Sequence, residues 1–290
     1  MGITNLLSMK DFSFVDETVD LNRAHAYRLS IQVSLDGFSF SILDMVRGKF
    51  VVLKHYDLSQ QKGYDQKADK LRQILSSDQH LHPSFKQSVA LVVTRKSTLI
   101  PETCFQEKDL KSYLSFNHDL DELDEIHFNL LEEISAYNVF TIPNPISNIL
   151  LEHFGKIPYY HHGLPFLHYQ LDNASSAKRT AALSIFEQFI DIGVFSGKNL
   201  LFYNTFQWST HEDILYYLLY VYKQFNLDVN SNELQISGST SDQKELKKLI
   251  AQYIKKNHLQ RPPNDYTYSY TFKTQQTQHF TNLFRLNLCV

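Results

Sequence analysis

The feature that most constrains this chain is a pattern of short strands that occurs twice. Tyr27, Leu29, Ile31 and Val33 fall on one side of an alternating run, and Arg28, Ser30, Gln32 and Ser34 on the other. That period of two is the mark of a half-buried β-strand. Asp36-Gly37 follows, a dipeptide suited to a tight hairpin turn because such turns need positive φ. Phe38 to Asp44 reads as the returning strand, Arg47-Gly48-Lys49 as a second turn and Phe50 to Leu53 as the start of a third strand. A helix is predicted over 62–77, with Ala68, Leu71, Ile74 and Leu75 on one face. Val89 to Val93 reads as a strand buried on both faces. The first half is therefore β-β-β-α-β.

The second half runs the same way. Residues 180–187, 188–195 and 199–206 read as three successive strands. Thr210 with Asp213 makes a capping-box start for a helix whose apolar face is Ile214, Leu218, Val221 and Phe225. Leu234 to Ser237 is a short strand ending at Gly238. Thr240 with Gln243 caps a further helix, with Leu246, Leu249, Ile250, Tyr253 and Ile254 on its buried face. Arg47-Gly-Lys-Phe-Val-Val-Leu53 matches Ser196-Gly-Lys-Asn-Leu-Leu-Phe202 at one constant offset, each at the second turn of its three-strand meander. Pattern and letters together imply an internal duplication.

Between the copies, Thr98 to Pro101 reads as an edge strand stopped by proline, His118 to Glu125 as an acidic turn, Ala136 to Ile142 as a strand and Pro145 to Phe154 as a helix. The resulting division is an N-terminal arm of weak structure over 1–26, a first domain over 27–155 with an insertion near 95–142, and a second domain over 156–290, with the boundary near Gly155.

Composition removes several function classes. The 290 residues carry a net charge of −3, which gives no global case for nucleic acid or an anionic membrane. No apolar stretch approaches the length of a membrane span, Met1 to Asp20 lacks a signal-peptide core, and Leu6 stands where a myristoylation signal wants Ser or Thr. The two cysteines, Cys104 and Cys289, are too few for a disulfide framework or a thiolate zinc site. They read as buried, reduced thiols of a cytoplasmic protein. Of nine glycines, no two are closer than Gly193 and Gly197, which argues against a Walker loop and a dinucleotide fingerprint.

The local letters are similar to something narrower. Tyr27-Arg-Leu-Ser-Ile-Gln-Val-Ser-Leu-Asp-Gly-Phe38, Leu99-Ile-Pro101, Tyr113-Leu-Ser-Phe-Asn-His118, Leu201-Phe-Tyr-Asn-Thr-Phe206, Glu212-Asp-Ile-Leu-Tyr-Tyr217 and Leu286-Asn-Leu-Cys289 resemble the bacterial domain of unknown function 3822 family. That family resembles the actin-like ATPase superfamily of sugar kinases, heat-shock chaperones and actin. The resemblance runs from about Tyr27 to the C-terminus. It implies an α/β fold of two duplicated RNase-H-like β-β-β-α-β-α units, two domains around a cleft, and no particular activity.

The superfamily's chemistry sets what to look for. Its first phosphate loop lies in the first hairpin and wants a strand Asp, then a glycine and small hydroxyl residues. Here the hairpin offers Ser34, Asp36 and Gly37, with Phe38 and Phe40 expected to crowd a phosphate. The second phosphate loop corresponds to Ile185-Phe-Glu-Gln-Phe-Ile-Asp191, which contains no glycine. The nucleoside-contacting turn wants paired glycines and finds Gly238, Ser239 and Thr240. The leading expectation is a non-catalytic binding or scaffold module with a protein partner, self-association as a homodimer being one form of that, and with no cofactor. The alternative is a divergent ATP-binding switch or phosphotransfer enzyme that takes ATP and magnesium between Ser34, Asp36, Gly37 and Gly238, Ser239, Thr240. A third reading is an RNase-H-like nuclease using acids such as Asp36, Asp44, Asp57 and Asp191 to hold two metals.

Other motifs read as structural. Gly193-Val-Phe-Ser-Gly-Lys-Asn199 is one residue short of a Walker loop and joins two strands, so it reads as a hairpin turn. His161, His162 and His168 lack a carboxylate at ligand spacing. Lys244, Lys247, Lys248, Lys255 and Lys256 give a solvated basic helix face. Tyr266, Tyr268, Tyr270 and Phe272 alternate with polar residues, as one aromatic face of a strand.

Overall fold

A computed structural model describes residues 9–173, 178–238 and 243–290. The chain divides into two units, one of residues 9–164, 264–273 and 286–290, the other of 165–263 and 274–285.

In the first unit, the alternating run at Tyr27 becomes β2 of a mixed sheet. Its strands are β1 (Phe12–Val15), β2 (Tyr27–Val33), β3 (Gly37–Asp44), β4 (Lys49–Asp57), β5 (Gln87–Val92) and β9 (Tyr159–His161), in the order β1-β4-β3-β2-β5-β9. The meander β2-β3-β4 is antiparallel, and β5 and β9 are added in parallel. Register puts Leu29 across from Ile42, Ile31 from Phe40 and Val33 from Phe38. These six side chains are buried against α1 (Gly63–Ser77) through Ala68, Leu71, Ile74 and Leu75. Each large apolar side chain removed from water in this way contributes about 1.5–3 kcal/mol. A second sheet of β6 (Ser97–Pro101), β7 (Asp124–Leu131) and β8 (Ala136–Pro143) has the order β6-β8-β7, with α2 (Leu110–Ser115) and α3 (Asn144–Phe154) completing the unit. The run read as an acidic turn to Glu125 is already strand from Asp124 onward.

In the second unit, α4 (Gly163–Asp172) leads to β10 (Arg179–Ile185), β11 (Phe189–Ser196), β12 (Asn199–Gln207), α5 (His211–Gln224), β13 (Glu233–Gly238), α6 (Gln243–Tyr253) and β14 (Asn257–Leu259). The sheet order is β12-β11-β10-β13-β14, antiparallel over the meander and parallel beyond it. This is the order and direction of β4-β3-β2-β5-β9. The shared Gly-Lys turns agree as well: Gly48 has φ +60° and Gly197 φ +55°, the left-handed geometry that favours glycine. Ile185, Ile190, Ile192 and Val194 face Ile214, Leu218 and Val221 of α5 and Leu246, Ile250 and Ile254 of α6. Tyr253, read as part of the buried face, is exposed. The capping box at α5 is present: Thr210 Oγ1 accepts the Asp213 N–H at 3.3 Å, and Asp213 Oδ2 accepts the Thr210 N–H at 2.8 Å. The expected Thr240 cap lies outside the described residues.

Two expectations need correction. Residues 1–26 were expected to have weak structure, yet β1 pairs antiparallel along Val52 to His55 of β4. Four residues are too few to declare a period, and the strand's partner lies far along the chain. The aromatic stripe at Tyr266 is a strand only at β15 (Thr267–Tyr268), parallel to Lys49 and Phe50 of β4. Tyr266 and Tyr268 take the Phe50 ring edge-on at 5.3 Å and stacked at 5.4 Å, while Tyr270 is 74% exposed. A turn, the Phe272 N–H bonding the Ser269 carbonyl, ends the extended run. The final helices are α7 (Thr274–His279) and α8 (Thr281–Cys289). Among the described residues no helix is long and apolar enough to cross a membrane.

Candidate functional site

In α/β sheets, ligands gather beyond the carboxyl ends of parallel strands. Here those ends carry Ser34, Asp36 and Gly37 after β2, and Gly238 at the end of β13. Ser239 and Thr240 lie outside the described residues.

The first hairpin is occupied with holding itself. Ser34 N–H donates to the Gly37 carbonyl at 3.0 Å, and Ser34 Oγ accepts the Gly37 N–H at 2.9 Å. The Asp36 carbonyl accepts the Leu58 N–H at 2.8 Å, and the Leu35 carbonyl accepts Lys67 Nζ. Gly37 is glycine because a buried ring is beside it: a Cβ there would meet His55 Cε1 at 2.5 Å. His55 is pinned at both nitrogens, Nε2 donating to the Met9 carbonyl at 3.0 Å and Nδ1 accepting from Ser39 Oγ at 2.8 Å. Burial pushes its pKa down, so the ring is neutral. The space that a phosphate needs beside such a glycine is filled by an imidazole. Phe38 and Phe40, expected to crowd the hairpin, are instead fully buried in the core beneath α1.

The hairpin between β10 and β11 is sealed by aromatic groups. The Phe186 and Phe189 rings stack at 4.7 Å, Phe186 N–H donates to the Phe189 carbonyl at 3.0 Å, and Trp208 Nε1 donates to the Phe186 carbonyl at 2.9 Å. Gly238 has φ +75°, and a Cβ there would fall 2.1 Å from the Ile185 carbonyl oxygen. Close approach of β13 to β10 is sufficient reason for this glycine.

The acids named for a nuclease are also engaged. Asp44, at the far end of β3 from Asp36, accepts the Val46 and Arg47 N–H groups at 3.0 Å and Arg47 Nε at 2.7 Å. Asp57 accepts the Ser59 N–H at 2.8 Å. Asp191 belongs to the other unit. Among the described residues no group of three or more His, Cys, Asp or Glu is placed to hold a metal. His161 is fully buried, with Nε2 donating to the Thr94 carbonyl at 2.9 Å and Nδ1 accepting from Asn138 Nδ2 at 2.7 Å. Burial and the neighbouring His162 hold its pKa well down.

Two polar clusters were not visible in the sequence. In the first unit, Lys54 Nζ meets Asp78 at 2.8 and 3.0 Å, and Asp78 also takes His80 Nδ1 at 2.9 Å and Tyr56 OH at 2.5 Å, all four being buried or half-buried. Burial works to raise the Asp78 pKa. The hydrogen bonds from His80, Lys54 and Tyr56 outweigh it and hold the carboxyl well below the usual range. In the second unit, Ser237, Ser184, Asp191 and Thr205 stand opposite one another across four adjacent strands. Asp191 is fully buried and accepts Thr205 Oγ1 at 2.6 Å and Tyr203 OH at 2.9 Å. Burial, reinforced by the Asp191 charge, pushes the Tyr203 pKa well up. Asn282 Nδ2 reaches Ser184 Oγ at 3.4 Å. The row takes one polar residue from each of four strands, so no single strand carries a signal for it. It became readable only once register was known.

A family model described as a protein of unknown function, DUF3822, matches residues 16–256. The chain belongs to this family. Among curated proteins nothing matches. Among solved structures, a Bacteroides thetaiotaomicron protein with actin-like ATPase fold and unknown function aligns with TM-score 0.78 at 22% identity, covering 94% of the DUF3822 chain and all of its own. The PilM–PilN type IV pilus biogenesis complex aligns with TM-score 0.58 at 10% identity over 90% of this chain and 97% of that one. The ethanolamine utilization protein EutJ of Carboxydothermus hydrogenoformans aligns with TM-score 0.52 at 8% identity over 96% and 93%. At these identities the likeness shows the fold: this DUF3822 chain has an actin-like ATPase fold.

Proposed function

We propose that this protein is a non-catalytic binding or scaffold module. The observation that carries the reading is the first hairpin, where His55 stands against Gly37 and the Ser34 hydroxyl closes the turn on itself. A phosphate loop works by leaving backbone N–H groups and glycine space to the anion, and this hairpin spends both on its own packing. The aromatic closure at Phe186, Phe189 and Trp208 supports the same reading at the second hairpin. A protein partner fits this role, and PilM, a protein of similar fold, stands in a complex with PilN. Cys104 and Cys289, expected to be buried, are exposed and half-buried, and as free thiols they suit the reducing cytoplasm.

The test is thermal unfolding with and without magnesium-ATP and magnesium-ADP up to millimolar concentration. A native-state ligand at a hundredfold excess over its dissociation constant adds about 2.7 kcal/mol of stability. No change in Tm is expected. A saturable rise that disappears in Asp36→Ala would replace this reading with the nucleotide-binding switch.

A further inference from the structure

The two units treat the same edge differently. In the first, the outer edge of β4 is covered by this chain's own β1 and β15. In the second, among the described residues, the equivalent strand β12 is the last in its sheet. Other sheet edges carry the usual protections: β1 has four residues, β9 and β14 three each, β6 ends on Pro101, and β7 opens with Asp124 and Glu125. β12 has nine residues, Asn199–Gln207, without a charge, a proline or a glycine. Directly opposite pairs alternate along an antiparallel ladder. Because Trp208 N–H donates to the Gln188 carbonyl, Asn204 and Phe206 bond inward to β11. Tyr203, Thr205 and Gln207 therefore turn their backbone groups outward. The Thr205 N–H rests on its neighbour Asn204 Oδ1 at 2.9 Å, a local contact that an incoming carbonyl displaces. Within the strand Leu201 is 40% exposed, and on α5, whose Tyr217 stacks on Phe206 at 4.6 Å, Tyr216 is 64% and Tyr220 54% exposed.

We propose that β12 is a self-association edge, pairing antiparallel with β12 of a second copy of this chain. A two-fold axis at Tyr203 sets Leu201 across from Thr205 and Asn199 across from Gln207, so no like charges meet. It also carries Lys198 of each copy toward the Ser209–Glu212 segment of the other, a complementary pair of signs. The antiparallel capping of β4 by β1 shows the same mode of closure on the equivalent strand within this chain. The proposal deepens the binding-module reading by naming a surface and a partner. Its readout is separate from nucleotide binding, so either can fail alone.

The experiment is sedimentation velocity on the full chain from about 1 to about 200 µM, a span that brackets micromolar self-association, with amide hydrogen exchange measured at both ends. A reversible dimer is expected, with the Tyr203, Thr205 and Gln207 amides exchanging more slowly as concentration rises. Leu201→Glu with Asn204→Glu, both at exposed positions, gathers four carboxylates along the paired strands and is expected to weaken the dimer about tenfold or more. Circular dichroism checks that this variant is folded, and the wild-type exchange data stand without it. A monomer at every concentration, or a dimer whose β12 amides exchange unchanged, would overturn the proposal.

Discussion

Gly37 and Asp78 show what a single side chain can decide in this protein. The His55 ring opposite Gly37 is held at both nitrogens, so it cannot swing aside for a new methyl group. Gly37→Ala is expected to lower stability by about 1–3 kcal/mol, as overpacking does. Most of that loss should vanish when the change is made in a His55→Ala background, and urea denaturation of the four proteins in this double-mutant cycle measures it. Asp78 is the only carboxylate in hydrogen-bond contact with Lys54 among the described residues. Asp78→Ala leaves that ammonium buried without its counter-charge and is expected to cost about 3–5 kcal/mol. The pH dependence has a definite sign. The folded pKa of Asp78 is depressed, so its stabilisation is complete above the unfolded carboxyl value of about 3.9 and is lost as pH falls through the lower folded value. Denaturation curves below about pH 4 should therefore fall more steeply for wild type than for the variant. Neither Lys54 nor Asp78 stood out in the sequence. A lysine in a strand and an aspartate after a helix look solvated until the packing brings them together.

Elements were more legible than sites. The meander could be read because β2 and β3 alternate over seven and eight residues, and because a Gly-Lys turn and an apolar run announce β4. The helix α5 could be read because its capping box is local in sequence. That cap makes a direct test. Thr210→Ala is expected to cost about 0.5–2 kcal/mol, read as a lower Tm, with Thr210→Ser restoring most of it. At the core, Leu71→Ala in α1 is expected to cost about 2–5 kcal/mol, because its side chain is fully buried among strands that cannot collapse into the gap. The strand that escaped notice, β1, is four residues long, and β15, the part of the aromatic stripe that does form a strand, is two. Their reason to be strands is a neighbour, β4, tens to hundreds of residues away. The buried row ending at Thr205 escaped for a related reason: its members sit on four strands, and no local pattern joins them.

At the scale of the whole molecule, the sequence suggested two consecutive domains meeting near Gly155. The units are instead threaded, since residues 264–273 and 286–290 belong with 9–164. The last residues serve that unit directly. Arg28 donates to the Asn287 and Val290 carbonyls at 3.4 and 3.1 Å, and Ser30 Oγ meets Asn287 Oδ1 at 3.3 Å. Removing residues 286–290 is expected to lower the melting temperature and to speed amide exchange in β2, even though the deletion lies at the opposite end of the chain. The strand β15 carries the same logic into biosynthesis. Lys49 and Phe50 leave the ribosome about two hundred residues before the Thr267 and Tyr268 that pair with them. At ordinary elongation rates that is a wait of roughly ten to forty seconds. For that interval the start of β4 has no β15 beside it, and the first unit, though encoded first, cannot be the first to finish.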